Sequence, residues 1–227
     1  MSHTVHPYSH RLGIIKDWKS RWFGVKGTFQ ENLRGDIVIR ELLEVKLRGM
    51  YVGGIEIERT EKYLRVIIET SRPGLIIGRN GEGVTKLRAD ILKALTKRGV
   101  VTKQELRLDV KEVRSPEANA RIVAEMLSEG LEKRLPFRRV MKQMIEKVMA
   151  NRDVLGVRFE MGGRLGGAEM ARTEKMKRGR IPLQTFRADV DFARYRSNLP
   201  YGVIGIKVWI YKGDVFGNKV DSTTTTN

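Results

Sequence analysis

Cysteine is missing from all 227 residues, which excludes disulfides, thiolate zinc sites and thiol nucleophiles together. That absence fits an intracellular, reducing compartment. Histidine is nearly as scarce: His3, His6 and His10 are the only copies. A Ser-His-Asp arrangement would have to draw that terminus to a distant site, and no carboxylate or cysteine stands near the three to share a metal. Apolar runs stay short of the roughly eighteen residues of a membrane span, and the N-terminus lacks a signal-peptide core. A soluble chain with no membrane partner, no cofactor and no catalytic residue is expected. Acidic residues are outnumbered, with 27 Asp plus Glu against 44 Lys plus Arg and a formal net charge of +17.

A surplus this large concentrates phosphate and drives binding by counterion release, without conferring sequence preference. The 41% hydrophobic content is enough for one or two packed cores, and two domains are expected. The most telling motif is Gly78-Arg79-Asn80-Gly81, entered from Leu75-Ile76-Ile77 and followed by an amphipathic helix. Two glycines let the main chain approach a sugar-phosphate, and the helix start offers free N–H groups and a positive dipole end. A KH module grips RNA in this way. Gly78 and Gly83 also stand at triphosphate-loop spacing, but Val84 occupies the position that needs lysine, and Lys86 comes too late. A bland helix-to-helix turn is the remaining alternative.

Residues 1–35 form an aromatic and basic extension, with Trp18, Lys19, Arg21, Trp22 and Phe23, suited either to stacking on bases or to packing as a strap. From Asp36 the pattern turns helical through Ile37, Leu42, Leu43, Val45 and Leu47. Two strands follow, in which Ile55 and Ile57, then Leu64, Val66 and Ile68, alternate with polar residues. After the loop, Val84, Leu87, Ile91 and Leu95 mark a buried helical face. Lys86, Lys93 and Lys97 share another face within about forty degrees, which suits phosphate contact or plain solvation. Leu106, Leu108 and Val110 mark a third strand. This order, α-β-β-α-α-β over 36–114, is the type II KH arrangement.

Ser115-Pro116 reads as a boundary to a second unit, 115–216. Its first helix is expected from about Glu117 to Lys133, with Ile122, Val123, Met126 and Leu127 inward. A second begins beyond Pro136 with the stripe Phe137, Val140, Met141, Met144, Ile145 and Val148. Arg138, Arg139 and Lys142 stand opposite that stripe as a compact basic patch. A strand at Val157–Met161 leads to a glycine-rich turn holding Arg164. The segment with Arg172, Lys175, Lys177, Arg178 and Arg180 reads as a docked RNA-binding element. Strands at Arg187–Tyr195 and Val203–Tyr211 complete an α/β (α+β) unit, two helices on a small mixed or antiparallel sheet, and Val203–Tyr211 is apolar enough for its centre. Residues 217–227 read as a disordered tail. Asp189 and Asp191 project from one strand face and offer a Mg²⁺ nuclease site as an alternative. Arg187, Arg194 and Arg196 nearby make structural ion pairing the better account.

His6-Pro7, Arg11-Leu12-Gly13, Trp22-Phe23, Arg72-Pro73-Gly74, Gly78–Gly81 with Glu82, Phe137-Arg138-Arg139, Arg164-Leu165-Gly166-Gly167-Ala168-Glu169 and Leu199–Ile210 with Trp209 together resemble the third-protein family of the small ribosomal subunit, bacterial type. The resemblance runs from about residue 5 to 216. It implies a KH domain and a C-terminal α/β domain bound to small-subunit ribosomal RNA on the subunit head, in the cytoplasm, beside neighbouring small-subunit proteins. It further implies that Arg138, Arg139 and Lys142 line the messenger RNA entrance tunnel and aid passive strand separation. Thr4 stands where the family usually has lysine, Arg79-Asn80 where two lysines are frequent, and the chain ends without a lysine-rich tail. A free-standing KH regulator of messenger or small RNA is the alternative function.

Overall fold

The computed structural model describes residues 5–100 and 104–216. The expectations for His3 and for the tail 217–227 lie outside the described residues. A short strand β1 (Ser20–Arg21) precedes helix α1 (Lys26–Lys46), followed by β2 (Val52–Arg59) and β3 (Tyr63–Thr70). The alternating isoleucines form an antiparallel pair, with Ile55 opposite Ile68 and Ile57 opposite Val66. Helices α2 (Pro73–Ile77) and α3 (Glu82–Lys97) then cross over to β4 (Glu105–Glu112), which lies parallel to β3. The sheet order is β1-β2-β3-β4. One core joins Ile39 and Leu43 of α1 to Ile57, Val66, Ile68, Ile91 and Leu95. Each such side chain contributes on the order of 2 kcal/mol by leaving water.

One expectation for α1 needs correction. The helix starts at Lys26, so the break placed between residues 35 and 36 falls inside it. Ile37 and Val45, two of the residues that mark the helical pattern, are 48% and 77% exposed. Ile39, Leu43 and Leu47, recurring every fourth residue, set the buried face instead.

Pro116 opens a single 3₁₀ turn (Pro116–Ala118) rather than the long helix itself. Helix α4 (Ala120–Glu132) starts after Asn119, whose side-chain oxygen accepts from the N–H groups of Arg121 and Ile122 at 3.0 and 3.3 Å. This cap satisfies donors that a helix start leaves free. Next come α5 (Phe137–Met149), β5 (Gly156–Gly163), β6 (Arg172–Gly179), β7 (Ala188–Leu199) and β8 (Gly202–Asp214). The second sheet is antiparallel throughout, in the order β6-β5-β8-β7, and puts apolar β8 inside as expected. Both helices cover one face, where Val123, Leu127, Met141 and Val148 meet Phe159, Met161, Ile206 and Val208. The basic segment expected to be a docked element is edge strand β6. Its polar pattern suits an edge, where charge blocks further pairing.

The residues before α1 pack as a strap. Arg11 is fully buried, donating to the carbonyls of Pro7, Pro182, Leu183, Thr185 and Ala188. The His6 and Phe192 rings form a T-shaped pair with centroids 4.7 Å apart. β1 then pairs parallel with β2, Ser20 opposite Ile57, so one segment touches both sheets. Helix α4 adds a second tie: the Gly49 N–H donates to Glu125 at 2.5 Å, Arg48 pairs with Glu132 at 2.5 Å, and Arg121 pairs with Glu44 at 3.0 Å.

Candidate nucleic-acid interface

Gly78 (φ 70°, ψ −174°), Asn80 (φ 50°) and Gly81 (φ 79°) place three of four loop residues at positive φ between α2 and α3. The turn throws Arg79 and Asn80 outward, and both are exposed. Gly81 caps α3 without a side-chain acceptor; the Glu82 N–H turns back to the Arg79 carbonyl, and the following first-turn N–H groups and the dipole end stay open to an anion. Gly83 has its own cause, which the sequence reading missed. A Cβ there would lie 2.3 Å from the Ile76 carbonyl oxygen, so the residue permits close packing of α2 on α3.

Lys86, Lys93 and Lys97 are all exposed on α3. They form a line rather than a cluster, because Lys97 lies about 24 Å along the axis from the loop. Asp90 stands among them and pairs with Lys46 of α1. Lys86 is therefore the lysine nearest to the loop.

Arg138, Arg139 and Lys142 emerge exposed from α5 over a buried stripe of Val140, Met141, Ile145 and Val148. Their charges are unequal. Arg138 grips Glu174 of β6 through Nε and Nη at 3.1 and 2.9 Å, and these bonds hold the Glu174 carboxyl below its ordinary range. Arg172 approaches the same carboxylate at 3.3 Å, and both guanidiniums lie over the Phe137 ring at 5.6 and 5.7 Å. Arg172, read from sequence as part of a separate element, thus belongs to the α5 patch. The alternation of β6, which puts 172 and 174 on one face, is the signal that would have found it.

The other expected cations divide. Arg164 folds back on its own loop, donating to Ala168 O at 2.9 Å and Tyr201 O at 3.3 Å, so part of its donor set is spent on structure. Lys175 approaches Glu160 at 3.5 Å. Lys177 and Arg178 are exposed on edge strand β6, and Arg180 is exposed just beyond its end.

The paired aspartates have structural partners. Asp189 meets Lys16 of the strap at 2.7 Å, and Asp191 accepts from the Ala120 N–H at the start of α4 at 2.8 Å. Ion pairing was expected with Arg187, Arg194 and Arg196 instead. Arg187 goes to Asp214 at 3.1 Å; Arg194 lies over the Phe192 ring.

Two family models match: KH domain over residues 38–118, and Ribosomal protein S3, C-terminal domain, over 127–210. Similarity to curated proteins runs nearly end to end. The small ribosomal subunit protein uS3 of Xanthomonas oryzae pv. oryzae is 46% identical over 216 residues, covering 95% of this chain and 85% of the relative. That of Caldicellulosiruptor saccharolyticus is 45% identical over 219 residues, with 96% of each chain covered. The Coxiella burnetii protein is 42% identical over 219 residues, covering 96% of this chain and 93% of its own. The chain belongs to the uS3 family. The exposed Gly78–Gly81 loop of this uS3-family chain falls within the KH match, and the α5 patch and β6 fall within the S3 C-terminal match. Residues 5–19 of the strap lie outside both.

Proposed function

We propose that the chain is a structural, non-enzymatic RNA-binding constituent of the small ribosomal subunit. It sits on small-subunit ribosomal RNA in the head, in the cytoplasm, against neighbouring subunit proteins. The observation that carries this reading is the loop: Arg79 and Asn80 project from a glycine turn at an uncapped helix start, within a chain similar to uS3 proteins over nearly its full length. Glycine clearance, a cation and free N–H groups meet the needs of a sugar-phosphate chain. The α3 lysines and the β6 cations extend that surface by counterion release.

At the finer level, Arg138, Arg139 and Lys142 border the messenger RNA path at the entrance tunnel and hold the phosphates of newly opened strands. The packed stripe beneath α5 fixes them in place, which favours a passive surface against re-pairing. Energy for opening comes from the ribosome drawing the messenger inward. Arg79→Asp with Asn80→Asp tests the first level: the fold should persist while ribosomal RNA affinity and co-sedimentation with small subunits after a salt wash fall. Unchanged incorporation and affinity would refute the clamp. Triple alanine replacement of 138, 139 and 142 tests the second. Such ribosomes should translate unstructured messages normally and slow at a stable hairpin placed just outside the entrance, and equal passage would refute the role.

A further inference from the structure

The C-terminal sheet has two faces, and α4 and α5 cover only one. On the other, the register aligns cross-strand rows: Lys177, Arg158, Trp209, Phe192; then Lys175, Glu160, Lys207, Arg194; then Thr173, Gly162, Gly205, Arg196. His6 of the strap covers Phe192, Ile181 and Leu183 pack with Phe192 and Trp209, and the last two rows stay open. There the surface sinks into a hollow of about 230 Å³, floored by Gly162 and Gly205 and rimmed by Thr173, Arg194, Arg196 and Lys207.

Gly205 is the informative residue. Glycine inside a strand weakens it, so its presence on central strand β8 needs a reason. Packing supplies none. A Cβ built at Gly205 meets nothing nearer than the Gly162 carbonyl oxygen at 3.8 Å, and its backbone is not in the left-handed region. Bare floor next to charge is what close approach of a ligand backbone requires. Arg194 and Arg196 are exposed, and among the described residues neither has a carboxylate within ion-pair distance. Among the described residues Glu160 is the one acid lining the hollow, and it is occupied by Lys207 at 2.9 Å, Arg158 at 3.1 Å and Lys175 at 3.5 Å. It orients the cations while subtracting one charge.

We propose that this glycine-floored hollow is a second RNA-backbone site, in which Arg194, Arg196 and Lys207 hold phosphodiesters pressed against Gly162 and Gly205. The proposal rests on the RNA-binding reading above and adds a site separate from the KH loop and the α5 patch. Bidentate guanidiniums suit phosphate oxygens, and the floor excludes side chains that would hold the strand away.

The test is fluorescence anisotropy of the full chain with an oligouridylate of about twelve nucleotides at low salt. Gly205→Val and, separately, Arg196→Gln should each weaken binding by about threefold or more, with the thermal midpoint unchanged or, for the valine, raised. Either loss should multiply with that of the Arg79→Asp, Asn80→Asp variant, which lacks only the KH-loop site. If both face variants bind like the parent while the loop variant weakens, the second site is refuted and RNA binding stands. If the parent itself fails to bind, both readings fall. Exchanging chloride for inorganic phosphate at constant ionic strength should displace no more RNA than sulfate does; selective displacement that Gly205→Val abolishes would make the hollow a free-phosphate site and overturn the assignment. Face variants that bind RNA normally but fail to enter reconstituted subunits would assign the hollow to an acidic segment of a neighbouring protein instead.

Discussion

Arg11 Nε donates to the Ala188 carbonyl at 2.5 Å, joining residues 177 positions apart in the chain. Four further carbonyls accept from the two terminal nitrogens of this guanidinium, one at Nη1 and three around Nη2. Lysine keeps the charge but has three donors on one atom and cannot reach five acceptors arranged around a plane. Arg11→Lys should cost on the order of 3 kcal/mol of stability, seen as a lower urea midpoint and faster proteolysis ahead of β1. An unchanged midpoint would show that the strap adds nothing.

Asp36 accepts from Arg59 Nε and Nη at 2.9 and 2.6 Å and from Trp22 Nε1 at 2.8 Å, with both charged side chains under 5% exposed. Arg59→Met strands that carboxylate, and a loss of about 3–5 kcal/mol is expected. Arg21 contacts three carboxylates, those of Asp17, Glu56 and Glu58, but at 38% exposure. Arg21→Met should cost about 1 kcal/mol or less. Chemical denaturation of the two variants side by side checks the ranking.

Burial pushes the Glu125 carboxyl above its ordinary value of 4.5, against the opposing pull of the Gly49 N–H and Arg121. A folded value raised above the unfolded one means that the native state binds the proton more tightly. This side chain therefore costs stability as pH rises from about 4.5 through the raised value, and costs nothing extra below it. Glu125→Gln retains an acceptor for Gly49 and lacks the titration. Its stability margin over the parent should be absent in acid and grow toward neutral pH. A margin that shrinks with rising pH would contradict the sign.

Glu174 neutralises part of the α5 patch. Glu174→Gln should raise RNA affinity about two- to threefold at low salt and steepen the salt dependence. Arg139→Ala should weaken binding more than Arg138→Ala, whose charge is already paired. The reverse order in anisotropy titrations would show that Arg138 leaves Glu174 when RNA binds.

Period carried most of the fold. The alternations at Ile55–Ile68 and the stripe from Phe137 to Val148 each became the expected strand pair or helix, because one face of each is buried and the other is not. Where that contrast weakens, sequence reading slips. α1 between Lys26 and Gly35 leaves Phe29 and Leu33 exposed, so no clean stripe announces its start. β6 is an edge strand whose basic residues conceal the strand period. The KH loop could be read because its geometry is local. The Arg138–Glu174–Arg172 cluster, the partners of Asp189 and Asp191, and the hollow at Gly205 depend on which strands become neighbours, information no short window holds.

The strap also sets an order of events. Strand β1 can find β2 once the first sheet exists, but the pocket for Arg11 is built from the backbone of residues 182–188, 171 to 177 positions further along. A chain made from its N-terminus carries the strap unseated until that later segment has left the exit. Closing so long a loop is slow compared with forming local helices and hairpins. The strap, made well before its pocket, thus docks late, and its docking signals that the segment joining β6 to β7 is in place.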